Sequence, residues 1–376
     1  MIYLHPADMD LRIEFDYQIF SLQKYGGISR YFSEVALRLA VKEGVRAEIN
    51  CPLFVNEYLR GLPAALVRGL HVDEYRKTAR ARHWLNSVLS RTRSPRDSIR
   101  HLTYYRTDWR RGQTNVVTVY DMAHERFPGE FPANDRTSRD KAASVERADA
   151  VICISRHTRK ELLELLPIDP GKVFVTHLGF TPLALDPGFR WPAGIADQPF
   201  LLYVGNRGGY KNFDRLLSAY GAAKSVQRDY RLLCLGGGPF TITEAARIKS
   251  LGLGNRVIQS HADDAMLGYG YSRAAAFLYP SVYEGFGIPP LEAMSAGCPV
   301  ICGLDTSLAE VVGDAAHIIN PHDEGSLAAG MQAVLESQAV RDGLVRSGRE
   351  RAALFSWDKC AEETLRVYQS LGKGAG

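Results

Sequence analysis

The sequence predicts an α/β protein with two α/β halves, the second of them Rossmann-like, and three observations support this prediction. The chain has 376 residues, and at about 100–200 residues per domain this length favours two domains. The second half alternates short apolar runs with helix-like segments, which is typical of a parallel sheet covered by helices. A stretch rich in proline and glycine at 181–199 separates this half from the first, and we predict that it is the linker.

The second half contains six apolar runs that are typical of buried strands. They lie at 200–204, 231–235, 256–258, 276–279, 299–302 and 316–319. Helix-like segments fill the gaps between them, at 212–225, 241–251, 264–274, 289–296 and 323–337. Continuous apolar strands that are joined by helical crossovers predict a doubly wound parallel sheet.

The first half is less regular. Apolar residues keep helical spacing over 28–42, which predicts a helix there. Strands are predicted at 45–50, 116–119, 150–154 and 173–176. An amphipathic segment at 358–371 predicts a final helix.

The composition excludes several classes of protein. Hydrophobic residues make up 45% and charged residues 23%, which excludes a disordered chain, a collagen-like fibre and a coiled coil. No run of 18 apolar residues is present, so we expect no transmembrane helix. The first residues lack the apolar region of a signal peptide. Six scattered cysteines without a C-x-x-C pair indicate reduced thiols and therefore a cytoplasmic protein.

The first candidate site is the segment LYVGNRGGYKNFDRLLSAY at 202–220. A predicted strand ends at Gly205, and a predicted helix begins near Asn212. The loop between them holds Arg207 and Lys211, and its glycines let the backbone approach a ligand closely. Two cations beside a helix N-terminus form an anion site. The alternative is an ordinary turn with solvated charges, and the glycine pattern fits neither GxGxxG nor a Walker A loop.

The second candidate site is LYPSVYEGFGIPPLEAMSAGCPVI at 278–301. Glu284 follows a predicted strand in a glycine loop, and Glu292 lies eight residues later, in the predicted first turn of a helix. Backbone amides from Phe286 to Ile288 can contact phosphate oxygens. Complementing the helix dipole would explain Glu292 alone. It does not explain Glu284, which we expect to accept hydrogen bonds from sugar hydroxyls at the ligand-binding edge of the sheet.

These segments resemble the retaining glycosyltransferases of family four, the group 1 class, and within it the bacterial polysaccharide and O-antigen mannosyltransferases. The pair Glu284-x7-Glu292 matches the E-x7-E motif, and VYEGFGIPPLEAMSAGCPVI resembles the signature block. VGNRGGYKN resembles the phosphate loop, and KYGGISRYFSEVALRL resembles the N-terminal glycine loop and first helix. ADAVICISRHTRKEL, with Ser155, and FSWDKCAEETLRVY resemble the end of the first domain and the closing segment. The resemblance covers most of the chain.

The resemblance implies a GT-B fold, in which two Rossmann-like domains face a central cleft. The first domain then covers 1–185 and takes the acceptor. The final helix, 358–371, packs back on that domain. The second domain covers 196–357 and binds the nucleotide sugar.

The resemblance also implies a role for each site residue. Arg207 and Lys211 bind the donor diphosphate and stabilise the leaving nucleotide. Glu284 contacts hydroxyls of the transferred sugar, and Glu292 binds the ribose. The other donor-binding residues are Gly26, Gly27, Gly205, Asn206, Gly285, Phe286, Gly287 and Ile288. The loop GGGPF at 236–240 either borders the nucleoside pocket or is a plain turn.

One departure from the family pattern lies in VVTVYDMAHERFP. Many relatives carry a His-Asp pair at the end of this strand. Here Tyr120 replaces the histidine, Asp121 is kept, and His124 follows. We predict that Asp121 and His124 act in the active site, although a solvated or structural histidine is the alternative. Whether His124 or Tyr120 takes the place of the family histidine stays open.

The implied mechanism is a front-face transfer that retains the anomeric configuration without an enzyme nucleophile. We expect no metal and no other cofactor, since the one Asp-x-Asp, at Asp8 and Asp10, lies at the extreme N-terminus. The expected donor is GDP-mannose, with UDP- and dTDP-sugars as alternatives. A sugar-nucleotide epimerase and a non-catalytic nucleotide-sugar-binding module are the other classes considered.

Positive charge is concentrated in the first half of the chain. The stretch 76–111 contains 11 lysines and arginines and two acids, and aromatic residues such as Trp84 and Trp109 interleave with them. Such a stretch suits an anionic membrane surface, although a solvated helical face is the alternative. No nucleic-acid-binding motif accompanies the charge. We therefore predict peripheral contact with the inner face of the plasma membrane, where a lipid-linked glycan would be the acceptor in polysaccharide or lipopolysaccharide synthesis.

Overall fold

The computed structural model describes residues 11–73, 78–93, 97–105, 113–186, 188–191, 195 and 198–372. The chain divides into two compact units. One consists of Met1–Gly179 with Ser356–Gly376, and the other of Phe180–Phe355. These divisions lie near the predicted ends of the domains at 185 and 357.

The first unit is built on a seven-stranded parallel sheet in the order β3-β2-β1-β4-β5-β6-β7. Its strands are β1 Leu11–Phe15, β2 Val45–Phe54, β3 Val67–His71, β4 Ile99–Leu102, β5 Asn115–Val119, β6 Ala150–Cys153 and β7 Val173–Val175. Its helices before the second unit are α1 Gln18–Leu22, α2 Gly27–Leu39, α3 Glu57–Arg60, α4 Ala79–Arg93, α5 Ala123–Arg126, α6 Thr137–Arg147 and α7 Arg156–Leu165.

Strands β1 and β4 carry buried charges, and sequence analysis missed both strands. Glu14 on β1 and Arg100 on β4 are paired in register, and both are fully buried. Arg100 Nε lies 3.7 Å from Glu14 Oε1, and Arg100 Nη2 lies 3.7 Å from Asp16 Oδ2. A buried charge requires such a partner. Apolar periodicity therefore could not reveal these two strands.

The second unit is built on a six-stranded parallel sheet in the order β10-β9-β8-β11-β12-β13. Its strands are β8 Phe200–Val204, β9 Arg231–Leu235, β10 Val257–Ser260, β11 Ala276–Tyr279, β12 Val300–Cys302 and β13 His317–Ile318. Its helices are α8 Phe213–Ala222, α9 Lys224–Asp229, α10 Ile242–Ser250, α11 Asp264–Arg273, α12 Ile288–Ser295, α13 Leu308–Val312, α14 Glu324–Glu336 and α15 Gln338–Ala352.

The order of these six strands is that of a doubly wound nucleotide-binding sheet. The strand order reverses between β8 and β11, which makes their carboxyl ends the topological switch point. All six strands were predicted, because each lies in an apolar run of the sequence. Strands β8, β9, β11 and β12 are mostly buried, whereas β10 and β13 are largely half-buried or exposed. The helices α13 and α15 were not predicted, and the segment predicted as one helix at 212–225 forms α8 and α9.

The last helix, α16, spans Trp357–Gly372 and belongs to the first unit. It packs on α2, where Arg38 Nε donates to Asp358 Oδ1 at 2.7 Å. Its Tyr368 hydroxyl lies 2.5 Å from His101 Nδ1 in the buried core of the unit.

The parallel sheets and their helices make both units Rossmann-like. In the described ranges no helix is long and apolar enough to cross a membrane.

Candidate functional site

The second unit brings two predicted donor residues together at its switch point. Lys211 lies in the 3-10 turn Gly209–Lys211, which follows β8, and Glu284 lies in the loop after the neighbouring strand β11. Lys211 Nζ donates to Glu284 Oε1 at 2.7 Å. Ligands of doubly wound sheets bind in the crevice outside these strand ends. The pair is therefore placed where a nucleotide would bind.

Asn212 ties the two loops to each other. Its backbone is in the left-handed conformation, with φ of 62°, which asparagine tolerates better than most residues. Its side-chain amide donates to the carbonyls of Pro280 and Pro321, at 3.0 and 2.6 Å. The amide of Val282 donates to the carbonyl of Tyr210 at 2.9 Å. The contacts to Pro280 and from Val282 fix the spacing between the loop of Lys211 and the loop of Glu284.

Two tyrosines shape the electrostatics around the pair. Lys211 Nζ lies 5.3 Å from the ring centroid of Tyr210 and 6.0 Å from that of Tyr279. Burial, and then the charge of Glu284, hold the pKa of Tyr279 well above its usual value, so its hydroxyl keeps its proton. An ammonium has three N–H donors. With one of them on Glu284, Lys211 keeps donors that can bind a phosphate oxygen.

Ser307 and Gly287 hold the loop that carries Glu284. The buried hydroxyl of Ser307 lies 2.8 Å from the carbonyl oxygen of Glu284 and 3.0 Å from that of Phe286. Gly287 has φ of 108°, and a Cβ added there would lie 2.6 Å from Leu308 Cδ2. Only glycine fits both the conformation and the space. The loop therefore enters the N-terminus of α12 in one fixed shape, with its amides at the positive end of the helix dipole.

Glu292 is not in the first turn of its helix, as sequence analysis had placed it. The helix α12 begins at Ile288, and its first turn contains no acid. The dipole explanation is therefore weak, because that effect falls off within the first turn. Tyr271 donates its hydroxyl to Glu292 Oε2 at 3.2 Å. Burial, and then the charge of Glu292, raise the pKa of Tyr271 well above its usual value, so it stays a donor.

The side chain of Arg207 points away from Glu284, the partner of Lys211, and toward the loop 236–239. Its Nε donates to Glu244 Oε1 at 2.8 Å, and its other nitrogens donate to backbone carbonyls of the loop 236–239. Its side chain is only 3% exposed. The structure thus brings Lys211 and Glu284 into contact and directs the Arg207 guanidinium to the glycine loop. Sequence analysis did not identify Glu244, since no motif in the sequence indicates its ion pair with Arg207.

In the first unit the structure separates Tyr120 from His124. Tyr120 is buried, and its hydroxyl donates to the carbonyl of Thr103 at 3.1 Å. The ring of His124 is partly exposed and stacks on Phe131, with centroids 3.7 Å apart. Burial, and then the charge of Lys141, lower the pKa of His124. A neutral, accessible imidazole can accept a proton. The Tyr120 hydroxyl, in contrast, is buried and already donates its hydrogen bond to Thr103.

A buried lysine fixes the loop that carries Asp121 and His124. Lys141 Nζ donates to the carbonyl of Asp121 and to Glu125 Oε2, at 2.8 Å each. Asp121 Oδ1 accepts from the amide of Ala123 at 3.0 Å. The carboxylate of Asp121 therefore shapes the start of α5. The roles of Asp121 and His124 in catalysis stay predictions.

Gly26 and Gly27 lie at the N-terminus of α2 in the first unit. Asn56 Nδ2 donates to the carbonyls of Gln23 and Lys24, at 2.8 and 3.3 Å, and so holds the turn that leads into this helix. A Cβ added at Gly27 would meet no atom of the described residues within 4 Å. The backbone of Gly27 is therefore open to a ligand, and its role in donor binding stays a prediction.

A cavity of about 670 Å³ lies within the first unit. Small-molecule sites span about 300–1,000 Å³. Aromatic rings, amides and charged groups line it together, among them Tyr17, His83, Arg91, Tyr104, Asn134 and Arg136. Sequence analysis identified no such site, because these side chains come from segments that are far apart along the chain.

The absence of a metal requirement stays a prediction. In the part of the chain that the structure describes, no three His, Cys, Asp or Glu side chains lie close enough together to hold an ion. Asp8 and Asp10 lie outside the described residues. All six cysteines are unpaired and buried, which leaves none of their thiols accessible as a ligand.

Comparison with known proteins decides the family. The profile described as "Glycosyl transferases group 1" matches residues 189–351. The O-antigen chain mannosyltransferase B of Escherichia coli is 30% identical over 267 residues, which are 68% of this chain and 70% of that protein. The chain belongs to the group 1 glycosyltransferases.

A second relative agrees with this assignment, and a solved structure shows the fold. The MMP alpha-(1->4)-mannosyltransferase of Mycolicibacterium hassiacum is 35% identical to this glycosyltransferase over 225 residues, which are 58% of this chain and 53% of that protein. The sucrose-phosphate synthase structure from Thermosynechococcus elongatus matches with a TM-score of 0.74 at 21% identity, over 97% of this chain and 100% of that one. The predicted GT-B class of fold is thereby confirmed.

Proposed function

We propose that this glycosyltransferase moves a hexose from a nucleotide sugar onto a glycan or lipid-linked acceptor, with retention of the anomeric configuration. GDP-mannose is the first candidate donor, because relatives at 30 and 35% identity are named mannosyltransferases. The O-antigen relative supports a place in cell-surface polysaccharide synthesis. The observation that carries the proposal is the contact between Lys211 and Glu284 at the switch point of the second sheet.

The chemistry of the pair suits the breaking of a bond between sugar and phosphate. In that step negative charge grows on the leaving phosphate, and Lys211 is already in place to stabilise it. Glu284 accepts hydrogen bonds from the hydroxyls of the transferred sugar. The amides from Gly285 to Ile288 face the phosphate and sugar, and Glu292 accepts from the ribose hydroxyls. Gly205 and Asn206 let the first loop approach the donor.

The proposed transfer needs no nucleophile from the protein. The leaving phosphate oxygen takes the proton of the acceptor hydroxyl as that hydroxyl forms the new bond on the same face of the sugar. A double displacement would instead need two carboxyl groups about 5–5.5 Å apart on either side of the anomeric carbon. Glu284 is paired with Lys211, and Glu292 with Tyr271. We propose no metal and no further cofactor for this step.

We propose that the cavity of the first unit binds the sugar rings of the acceptor. Tyrosine rings in its lining, such as Tyr17 and Tyr104, offer apolar faces for a sugar ring. Among the described residues, the lining carries two arginines and two aspartates, and Arg136 lies 3.8 Å from Asp140 as a pair. A balanced polar lining with aromatic faces suits a neutral glycan. Asp121 and His124 are the candidates in the same unit for contacts with the reacting sugar.

The helix α4 supports the proposed contact with an anionic membrane, because its polarity is inverted. Its buried residues are polar, as Asn86 shows by exchanging two hydrogen bonds with the backbone of Leu53, at 2.7 and 2.8 Å. Its exposed residues include Trp84, at 65%, and Val88, at 43%. Apolar side chains on the outer face of a basic helix suit the headgroup region of a bilayer. No nucleic acid partner is proposed.

Not every cation of the stretch 76–111 can contact a membrane. Arg100 is buried against Glu14, and Arg82 is buried with Nη2 donating to the carbonyl of Ser21 at 2.9 Å. Arg82 and Arg100 therefore take no part in the proposed membrane contact of the stretch 76–111. Residues 76–77, 94–96 and 106–111 of the stretch lie outside the described residues.

Product analysis tests the proposal. The enzyme is incubated with GDP-mannose, UDP-glucose, UDP-N-acetylglucosamine and dTDP-rhamnose, with and without a bacterial glycolipid extract. A transferase gives nucleotide and a glycosylated lipid only when the extract is present. An epimerase gives a new nucleotide sugar in both arms, and a binding module gives no product in either. Either of the last two results would overturn the proposed function.

A further inference from the structure

The hydrogen bonds of the Arg207 guanidinium all go to a single loop and one carboxylate. Nη1 donates to the carbonyl of Gly236 at 3.0 Å, and Nη2 donates to those of Gly238 and Pro239, at 2.9 and 3.0 Å. Nε donates to Glu244 Oε1 at 2.8 Å. The planar guanidinium donates to several acceptors in one fixed arrangement, which the ammonium of a lysine cannot do.

Glu244 balances the charge of Arg207 and at the same time caps α10. Its Oε2 accepts from the amide of Thr241 at 2.7 Å, and its own amide donates to Thr241 Oγ1 at 3.2 Å, which completes a capping box. Burial acts to raise the pKa of Glu244, but the hydrogen bonds from Arg207 and Thr241 outweigh it and lower that pKa. The glutamate is thus ionised, and the positive charge of Arg207 is neutralised inside the protein.

The loop 236–239 has a backbone shape that needs the hydrogen bonds from Arg207 to stay ordered. Gly236, Gly237 and Gly238 are all left-handed, with φ of 82°, 68° and 73°. Three consecutive glycines have the largest conformational freedom to lose on ordering. A Cβ added at Gly237 would lie 2.7 Å from Arg207 Nη1. The loop and the guanidinium are therefore packed against each other without spare room.

Two aromatic rings cover the same guanidinium. The carbon at the centre of the guanidinium lies 5.0 Å from the ring centroid of Phe240 and 5.8 Å from that of Phe213. A cation over aromatic faces is stabilised there. Together with its low exposure, this packing shields Arg207 from solvent.

The loop 236–239 lies at the edge of the sheet where the donor is proposed to bind. It follows β9, which pairs with β8, and the amide of Gly205 at the end of β8 donates to the carbonyl of Leu235 at 2.9 Å. The carbonyls of this loop are turned toward Arg207. A ligand at this edge would therefore meet a loop surface whose shape depends on Arg207.

We propose that Arg207 is a positioning residue, which holds the loop 236–239 in the shape that receives the nucleoside of the donor. It does not contact the diphosphate, whose charge is met by Lys211 and by backbone amides. This inference rests on the proposed function, and it replaces the diphosphate role that the resemblance implied for Arg207.

The test compares ligands with and without phosphates in a competition assay. The affinities of three pairs of ligands are measured: guanosine and GDP, uridine and UDP, and thymidine and dTDP. Each affinity is measured for wild type, Arg207→Lys and Lys211→Met. Arg207→Lys keeps the charge but loses the planar guanidinium. We expect it to weaken the preferred nucleoside and its diphosphate by the same factor, about tenfold, the loss typical of a charge-assisted hydrogen bond. Lys211→Met should weaken only the diphosphate.

A second measurement reports on the loop itself. Hydrogen exchange of the amides of Gly236, Gly237, Gly238 and Phe240 should become faster in Arg207→Lys. Adding Glu244→Gln should have little further effect, because the two residues act as one unit. Arg247→Lys is the matched control. Arg247 lies on the same helix as Glu244, pairs with Asp214 at 3.0 Å and does not contact the loop, so both readouts should stay at wild-type values.

Each outcome decides something different. A loss of diphosphate affinity in Arg207→Lys with unchanged nucleoside affinity would assign Arg207 to the phosphates and overturn the inference. Unchanged exchange of the loop amides would overturn it as well. A wild-type protein that binds none of the nucleotides would overturn the proposed function, and the nucleoside role of the loop with it, whereas the exchange data would still report whether Arg207 holds the loop.

Discussion

Lys211 Nζ lies 2.7 Å from Glu284 Oε1, although 73 residues separate the two along the chain. Each side chain comes from the loop after one of two adjacent strands, and Asn212 ties these loops together. The ammonium and the carboxylate hold each other in place before any donor arrives. A charge that is fixed in advance stabilises a transition state without reorganisation at the moment of reaction.

Removing the ammonium should reduce turnover. We expect Lys211→Met to lower kcat by about 10²–10³, the range seen when one preorganised donor to a developing charge is lost. Steady-state kinetics with the donor selected by product analysis measures this. Lys224→Met, an exposed lysine at the start of α9, is the control and should keep its kcat. A normal kcat in a folded Lys211→Met protein would show that Lys211 does not stabilise the leaving group.

Changes at Glu292 should affect donor binding and leave the chemical step alone. Ribose contacts are present in the ground state and in the transition state alike, so their loss raises KM without lowering kcat. We expect this pattern for Glu292→Ala and, more weakly, for Tyr271→Phe, which removes the hydroxyl that orients the carboxylate. A fall in kcat with unchanged KM would assign Glu292 to the reacting sugar instead.

Ser307 should matter both for stability and for turnover. Its substitution by alanine leaves the carbonyls of Glu284 and Phe286 without their buried donor, which typically costs about 1–3 kcal/mol. The melting temperature should therefore fall, and kcat should fall with it as the loop loosens. Ser347→Ala, which removes a hydroxyl bonded only within its own helix, should leave kcat unchanged. Equal effects of the two variants on kcat would refute this role of Ser307.

Stability should decrease on acidification because of His101 in the first unit. Burial lowers its pKa from the ordinary 6.5 to about 3. Between these pH values the unfolded chain binds a proton at His101 that the folded chain does not. The folding stability that depends on neutral His101 is therefore complete above pH 6.5 and is lost as the pH falls toward 3. The slope reaches about 1.4 kcal/mol per pH unit for one such group. The melting temperature of wild type should therefore fall more steeply with decreasing pH than that of His101→Gln, and parallel curves would contradict this.

The apolar face of α4 should be needed for membrane binding. Flotation with phosphatidylglycerol vesicles should recover the wild-type protein at low salt and less of it at high salt, since the attraction is partly electrostatic. The double variant Trp84→Ser with Val88→Ser should not float. Leu70→Ser on β3 removes another exposed apolar side chain, 70% exposed, and should float normally. Equal flotation of the two variants would rule out α4 as the docking face.

The sequence predicts the second unit better than the first for a physical reason. Strands such as β8 and β11 are uninterrupted apolar runs, so their burial is evident from residue type alone. In contrast, β1 and β4 carry Glu14 and Arg100, which look exposed until they are seen paired across the sheet. The helix α4 is misleading in the same way, because its buried residues are polar, such as Asn86, while Trp84 and Val88 are exposed.

The candidate site shows the same limit at the level of single side chains. The motif spacing predicted that Glu284 and Glu292 belong to one site, and the position of Lys211 beside a strand end predicted an anion-binding cation. The partner of Arg207 could not be predicted, since Glu244 lies 37 residues away in a helix cap that has its own local explanation. Spacing locates a charge on a loop, but it does not tell which way the side chain turns.

The most direct test follows a labelled sugar from donor to acceptor in wild type, Lys211→Met and Glu284→Gln. Each nucleotide sugar of the panel is supplied with label in the sugar, and the glycolipid product is isolated and its anomeric configuration is determined by NMR. The account predicts that wild type transfers the label from one of these donors with retention, and that both variants, folded as judged by melting temperature, transfer it at least about tenfold more slowly. Inversion, or transfer by both variants at the wild-type rate, would contradict the account.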